Sequence, residues 1–216
     1  MFEGFTPETI DFLWGIRMNN NRDWFLEHKK QYVDTLYTPM KALGQQLFEP
    51  FLEKPGSILK VSRIYRDARL HHPLPYKESL WCCIRQDVDW WAENPCLFFE
   101  IRPEGASYGF TLGRPKVTTM DAFRQKIAAA PEPFLELLRK TEQTTGIPVT
   151  AECYKRPKPA PSPALEPYFA WKGGISCIRN EEVSEDLFGP ALGDRARTLT
   201  EQLIPIYDYF CQVTAG

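Results

Sequence analysis

The sequence predicts an α+β fold in a single domain over residues 1–216, with helices packed on an antiparallel sheet. Helical spacing of apolar residues dominates the first part of the chain, four strand-like segments follow at short intervals, and helical spacing then returns. The chain has 216 residues, of which 43% are hydrophobic and 25% are charged. This composition is typical of a globular domain that buries a core.

Caps and a proline mark the N-terminal helices. A threonine cap and a proline at the first helical position begin a helix in TPETIDFLWGI. Asn20 or Asn21 caps a second helical run over 22–52. Pro39 interrupts this run, because proline has no N–H to donate and clashes with the preceding turn. We therefore expect a kink, or two helices meeting, near Tyr37–Pro39.

The predicted sheet comes from segments rich in β-branched and aromatic residues. These segments are 59–65, 79–86, 96–103 and 106–114. The turn Pro103-Glu104-Gly105 joins the last two segments at hairpin length. Because neighbouring segments are close in sequence, an antiparallel meander is the simplest topology.

The second half of the chain predicts helices at 118–130 and 131–146, a strand at 173–179 and a closing helix at 195–213. Between them, five prolines lie in KRPKPAPSPALEP, residues 155–167. Proline cannot continue a regular helix or a central strand. The apolar residues on both sides nevertheless predict that this segment packs along the domain as an ordered crossing.

The net charge and the cysteine content limit which molecular partners and which cellular compartment the sequence favours. The formal net charge is −2 and the isoelectric point is about 6.0, which argues against duplex nucleic acid as a partner. The sequence shows no recognisable signal peptide, membrane span or metal-binding motif. None of the six cysteines forms a C-x-x-C motif, so we expect reduced thiols in a cytoplasmic protein. We expect no cofactor, no metal site and no membrane contact, and the sequence specifies no protein partner.

The main candidate site is the stretch KVSRIYRDARLHHPLPYK. Its candidate ligand-binding residues are Arg63, Arg66, Asp67, Arg69, Tyr76 and Lys77. The cationic side chains suit a carboxylate or phosphate group, Asp67 would orient a guanidinium group, and Tyr76 would donate a hydrogen bond. A bend in this stretch would bring Arg63, Arg66 and Asp67 to one face.

The sequence leaves two hypotheses open for this cluster. In the first, it binds a small anionic ligand, and whether the protein is also an enzyme stays open because no catalytic residue can be assigned. In the second, arginine and aspartate form a buried ion-pair frame in a non-catalytic structural or protein-interaction domain. No phosphate loop, G-x-S-x-G or H-E-x-x-H motif favours a particular reaction.

Further cationic candidates lie elsewhere in the chain. Asn20, Arg22 and Trp24 lie at a predicted helix start, where backbone donors can hold an anion; ordinary helix capping is the alternative. Lys155 and Arg156 would add a cationic wall beside the proline segment, or they are solvated loop charges.

Trp90 and Trp91 are adjacent aromatic residues between two predicted strands. Tryptophan faces can stack on sugars or bases. Because the neighbouring residues Val88 and Ala92 are apolar, a position in the core or at a hairpin corner is the alternative.

The candidate stretch resembles a family signature. RIYRDARL…PYK is similar to the R-x-x-R-D-x-R-F…P-Y-K pattern of a bacterial family of conserved hypothetical proteins, domain of unknown function 2461. The start, GFTPETIDFLWGI…NNNRDWF, resembles the opening of that family, and Pro39 falls at its mid-helix proline. YGFTLGRP, followed by Phe123-Arg124 and Ile127, resembles its glycine-containing strand and next helix. Tyr154-Lys155-Arg156 and Trp171-Lys172 resemble two later elements.

The resemblance implies a family but no reaction. Relatives usually have an Asp-Lys pair between the last arginine and P-Y-K, whereas this chain has His71-His72-Pro73-Leu74-Pro75. If that pair is essential, this member is altered or inactive. His71 and His72 would then replace it as proton carriers, or they are loop histidines with no special role.

Overall fold

A computed structural model describes residues 1–67, 69 and 73–215, and it confirms the α+β class. The helices are α1 (Pro7–Met18), α2 (Arg22–Glu27), α3 (Lys29–Gln31), α4 (Thr38–Phe48), α5 (Val117–Ala129), α6 (Pro131–Thr145), α7 (Glu166–Phe169) and α8 (Ala191–Thr214). The strands are β1 (Ser57–Val61), β2 (Leu80–Gln86), β3 (Cys96–Arg102), β4 (Gly105–Leu112), β5 (Thr150–Cys153) and β6 (Trp171–Glu182). The predicted elements therefore agree with the structure in type, with small differences in their ends.

The strands form one antiparallel sheet in the order β1-β2-β3-β4-β6-β5. The predicted meander of the first four strands is confirmed, and β6 lies beside β4. Strand β5 was not predicted from the sequence. It is short, mostly exposed and placed at the sheet edge, so it carries no alternation of apolar and polar residues.

The chain divides into two compact units. Unit 1 comprises Met1–Ile84, Phe98–Tyr108 and Asn180–Thr198, and unit 2 comprises the remaining residues. Strands β2, β3, β4 and β6 contribute residues to both units. The single domain over 1–216 therefore remains a prediction.

Stacked aromatic rings lie in the core of unit 1. The ring of Phe99 lies 5.9 Å from that of Phe5 and 5.5 Å from that of Tyr108, measured between centroids. Helix α1 buries one face in this unit. The packing of α1 fixes the positions of two residues near its C-terminal end, Arg17 and Asn20, which belong to the candidate site described below.

Phe123 of α5 lies at the centre of the core of unit 2. Its ring contacts those of Phe134, Trp171 and Phe210, with centroid distances of 5.2, 5.8 and 5.6 Å. The neighbouring Arg124 is buried, and its Nη2 donates to the carbonyl oxygen of Trp171 at 2.5 Å. Arg124 thus fixes α5 against the start of β6, which is a structural role.

The proline segment 155–167 packs within unit 2. Leu165 at its end is buried, and Lys158 Nζ donates to Asp121 Oδ1 of α5 at 2.5 Å. Both contacts support the prediction of an ordered crossing.

A π-helical turn at Tyr32–Tyr37 precedes α4, so the predicted junction near Pro39 is confirmed. Pro39 has no N–H to offer the carbonyl of Thr35, four residues earlier. The buried Thr9 replaces that donor, because its Oγ1 donates to Thr35 O at 2.7 Å. The same hydroxyl accepts from the backbone N of Thr6 at 3.1 Å. One threonine of α1 therefore stabilises both a helix start and a helix junction.

The variant Thr9→Val keeps the shape of the side chain and removes its hydroxyl. We expect the free energy of unfolding to fall by about 1–3 kcal/mol, because two backbone groups lose their partner. Thr9→Ser keeps the hydroxyl and should lose less. Urea denaturation of both variants measures the difference, and equal losses would show that the hydroxyl is dispensable.

The six cysteines all lie in the described part of the chain, and none forms a disulfide. Burial raises the pKa of the Cys82 thiol to about 12, whereas the Cys153 side chain is exposed. Within the described residues, no helix is long and apolar enough to cross a membrane, and no cluster of three or more histidine, cysteine or acidic residues is arranged to hold a metal ion.

Alkylation of the native protein with iodoacetamide at neutral pH should label Cys153 first. Cys82 should remain unlabelled until the protein unfolds, because only the exposed thiolate reacts at an appreciable rate. Peptide mass spectrometry over a time course measures the order. Early labelling of Cys82 would contradict the burial of β2.

Candidate functional site

The two halves of the candidate stretch pair with each other in unit 1. Tyr65 and Tyr76 form an antiparallel bridge, and Lys77 N donates to Ile64 O at 2.7 Å. Successive side chains of an extended chain point to opposite faces. Arg66 and Lys77 therefore project away from the face that carries the two tyrosines.

The alternative proton carriers proposed from the sequence, His71 and His72, lie outside the described residues. The same is true of Ala68 and Leu70.

Tyr76 belongs to the core of unit 1. Its ring is buried and stacks on Phe25 with a centroid distance of 4.3 Å. Asn20 holds its backbone from both sides, with Oδ1 accepting from Tyr76 N and Nδ2 donating to Tyr76 O, each at 3.0 Å. Burial raises the pKa of the Tyr76 hydroxyl, and the charge of the exposed Arg22 opposes this shift. Tyr76 thus lies apart from the face that carries Arg66.

Trp24 has a packing role. Its backbone N donates to Oδ1 of Asn21, which is the cap of α2, at 3.0 Å. Its ring stacks on His28 at 3.9 Å and lies so close to Gly15 that a Cβ there would come within 2.5 Å of it. The start of α2 is therefore capped by Asn21, and the anion site expected there stays a prediction.

Asp67 binds Arg69. Its Oδ1 accepts from both N and Nε of Arg69 at 3.0 Å, and its Oδ2 accepts from Nη2 at 2.6 Å. The Arg69 side chain is 87% exposed. The described contacts thus join Asp67 to the exposed guanidinium of Arg69, and a role for Asp67 in a ligand site stays a prediction.

A second carboxylate, Glu78, organises the cationic face. Arg17 Nε donates to Glu78 Oε2 at 2.7 Å, and Arg17 Nη1 binds Glu104. Arg66 Nη2 donates to Glu78 Oε1 at 3.3 Å. Sequence reasoning missed Arg17, Glu78 and Glu104. One signal was available, since Glu78 directly follows the P-Y-K motif.

Arg66 is incompletely paired. Its Nε is buried, and no described residue accepts a hydrogen bond from it. The bond to Glu78, at 3.3 Å, is longer than the usual length of a charge-assisted hydrogen bond. A buried guanidinium N–H without a protein acceptor is rare, and strain, an ordered water or a bound ion can each account for it.

Lys77 lies beside Arg66. Its Nζ donates to Arg63 O at 2.8 Å and lies 5.7 Å from the ring centroid of Trp81. Burial lowers the pKa of Lys77, the charge of Arg66 lowers it further, and Glu100 opposes both effects. The positive charges of Lys77 and Arg66 therefore lie close together in a partly buried environment.

The remaining candidates lie at the surface. Arg63 is exposed, and its carbonyl holds Lys77. Lys155 and Arg156 are exposed residues of unit 2, so the cationic wall that they would form remains a prediction.

The arrangement of Arg66 and Lys77 can hold an oxyanion. The planar guanidinium offers a fork of donors to a carboxylate or phosphate group, and the ammonium group adds a point charge. In the adjoining segment, the Ser79 hydroxyl donates to Glu100 Oε1 at 2.7 Å, and we assign no reaction to this pair.

The model of the family described as conserved hypothetical protein (DUF2461) matches residues 8–209. The chain belongs to this family. The search of curated proteins found no match.

Three single variants distinguish the hypothesis of an ion-pair frame from the hypothesis of an anion site. Glu78→Gln should lower the free energy of unfolding by about 1–3 kcal/mol, because two guanidinium groups lose a carboxylate partner. Arg66→Met should leave it unchanged or slightly higher, because it removes a buried unsatisfied N–H and a charge beside Lys77. Asp67→Asn should have a small effect, because the pair with Arg69 is exposed.

Chemical denaturation of the three variants measures these effects. Arg139→Met is the control for loss of an arginine, since Arg139 pairs with Glu136 on the exposed face of α6. A loss of several kcal/mol in Arg66→Met alone would make Arg66 part of a buried frame and would exclude an open anion site.

Proposed function

We propose that this member of the DUF2461 family recognises a small anionic ligand through a carboxylate or phosphate group, with Arg66 as the anchor. The observation that supports this proposal is the buried Arg66 Nε, which has no acceptor among the described residues. A ligand oxygen would supply that acceptor. The ligand would also bring a negative charge between Arg66 and Lys77.

The carboxylate of Glu78 pre-organises the anchor. Glu78 is held by Arg17, which is held in turn by Glu104, so the orientation of the Arg66 guanidinium is set before a ligand arrives. Pre-organisation reduces the entropy lost on binding. Nε of Arg66 then offers the ligand a donor, while Nη2 stays bonded to Glu78.

The ligand would relieve an unfavourable charge arrangement. Lys77 and Arg66 are like charges in a partly desolvated place, and this proximity contributes to the lowered pKa of Lys77. An anion between them interacts favourably with both. Arg63, which is exposed nearby, adds a charge that attracts anions at long range.

The competing hypothesis, an ion-pair frame in a non-catalytic protein, explains part of the cluster. Arg17, Glu78 and Glu104 form such a frame. The frame does not supply an acceptor for Arg66 Nε, and the described bonds of Asp67 go to Arg69. We therefore assign the frame a supporting role beside the anion site, and we assign no reaction.

We also infer that the protein works in the cytoplasm. The absence of disulfides among its six cysteines and the burial of the adjacent Cys82 and Cys83 support a reducing compartment.

Titration of the protein with inorganic phosphate or with a small dicarboxylate, followed by isothermal calorimetry, tests the proposal. We expect binding by the unmodified protein and an affinity at least about tenfold lower for Arg66→Met, because a charge-assisted hydrogen bond is lost. Arg139→Met should bind like the unmodified protein. Equal binding by both variants would place the anion elsewhere.

The pH dependence supplies a second measurement of the same site. Protonated Lys77 attracts the anion, so binding should weaken as the pH rises through the pKa of Lys77. Because that pKa is lowered, the weakening should begin at a lower pH than for an ordinary lysine. Lys77→Arg should remove this early weakening, since arginine stays charged.

A further inference from the structure

The connection between β2 and β3 in unit 2 exposes two tryptophans. Residues 87–91, with the sequence DVDWW, are all exposed, and Trp90 and Trp91 are 75% and 48% exposed. Adjacent exposed aromatic side chains form a contiguous apolar patch, and such patches mark interaction sites. The sequence analysis allowed the two tryptophans a place in the core or at a hairpin corner. Their exposure excludes the core, so they lie at an exposed hairpin corner.

The backbone of this loop is held firmly. Arg85 Nη1 donates to the carbonyl oxygens of Gln86 at 2.7 Å and Val88 at 3.1 Å. Asn94 Nδ2 donates to Trp90 O at 3.2 Å. The exposed rings are therefore carried by a loop that its own hydrogen bonds order.

Trp90 adopts a backbone conformation that disfavours its side chain. Its φ is +23°, and it is the only non-glycine residue of the described chain with a positive φ. A left-handed conformation is accessible to glycine without a penalty, whereas a tryptophan there is strained. The fold alone would be satisfied better by glycine, so the tryptophan at this position points to a role at the surface.

The charges beside the rings are predominantly negative. Asp87 and Asp89 are exposed on either side of Val88, and no described residue forms an ion pair with either carboxylate. Arg85 is the cation nearest in sequence, and its Nη1 donates to backbone carbonyls of the loop. Glu93 is paired with Lys116 at 3.2 Å. The surface around Trp90 thus combines an aromatic face with two carboxylates.

We propose that Asp87, Asp89, Trp90 and Trp91 form a docking surface for an arginine-bearing peptide segment of a protein partner. A guanidinium group stacks on a tryptophan face and at the same time donates to neighbouring carboxylates. A neutral sugar would use the rings but would not need the two carboxylates. The charge complementarity therefore selects a cationic peptide, and this surface is independent of the anion site of unit 1.

Calorimetric titration with a hexa-arginine peptide tests the proposal. We expect the unmodified protein to bind and Trp90→Ala to bind at least about fivefold more weakly, because a cation–π contact is lost. The double variant Asp87→Asn, Asp89→Asn should lose affinity similarly. Trp14→Ala, which removes an exposed tryptophan of unit 1, is the matched control and should bind normally.

Three outcomes would overturn the proposal. The first is equal binding by all variants, which would indicate general attraction of the peptide to an acidic protein. The second is tighter binding of neutral chitohexaose than of the peptide. The third is a lower melting temperature for Trp90→Gly, because a glycine that relieves the strain should instead raise it by about 2 °C or more.

Discussion

The position of the Glu78 carboxylate determines how the cationic face is arranged. Glu78 accepts from Arg17 through one oxygen and from Arg66 through the other. Arg17 is close to the end of α1, whereas Arg66 lies in the bridged stretch, so one carboxylate joins two elements that are far apart in sequence. Because Glu78 divides its two oxygens between Arg17 and Arg66, only Oε1 accepts from Arg66. The incomplete pairing of Arg66 follows directly from this sharing.

Within each unit, one residue fixes the course of a backbone segment. Asn20, just after α1, holds both backbone groups of Tyr76 and thereby fixes the segment that carries Lys77 and Glu78. In unit 2, Gly109 has a φ of +147°, and a Cβ there would lie 2.1 Å from the carbonyl oxygen of Cys177. Only glycine permits this close approach of β4 and β6.

Local structure was predictable from the sequence, because caps, prolines and alternation act over a few residues. The helix pair over 118–146 and the strand over 79–86 appear in the structure nearly as predicted. The π-helical turn before α4 was foreseen only as an interruption, because its stabilising hydroxyl comes from Thr9, 26 residues away from its partner. Strand β5 carried no periodic signal.

The partners within the candidate site were less predictable. Asp67 follows Arg66 directly in sequence, but adjacent side chains of an extended chain diverge, so Asp67 binds Arg69 two residues further on. The true partner of Arg66, Glu78, is 12 residues away, and Arg17 is 61 residues from Glu78. Such pairs depend on the packing of α1 and on the bridge between Tyr65 and Tyr76, which no local pattern specifies.

The arginines of this stretch differ in how deeply their donor groups are buried. This difference matters more for binding than the number of arginines. An exposed guanidinium such as that of Arg69 loses little by lacking a partner, because water replaces it. A buried N–H without an acceptor costs about 1–3 kcal/mol, which is a sizeable part of the 5–15 kcal/mol that typically stabilises a domain. The frame of Arg17, Glu78 and Glu104 is held by short bonds, yet it leaves Arg66 Nε without an acceptor within the described chain. A purely structural frame would gain stability from an apolar residue at position 66, whereas an anion-binding site needs the unused donor. This difference is the reason why we propose the site and not the frame alone.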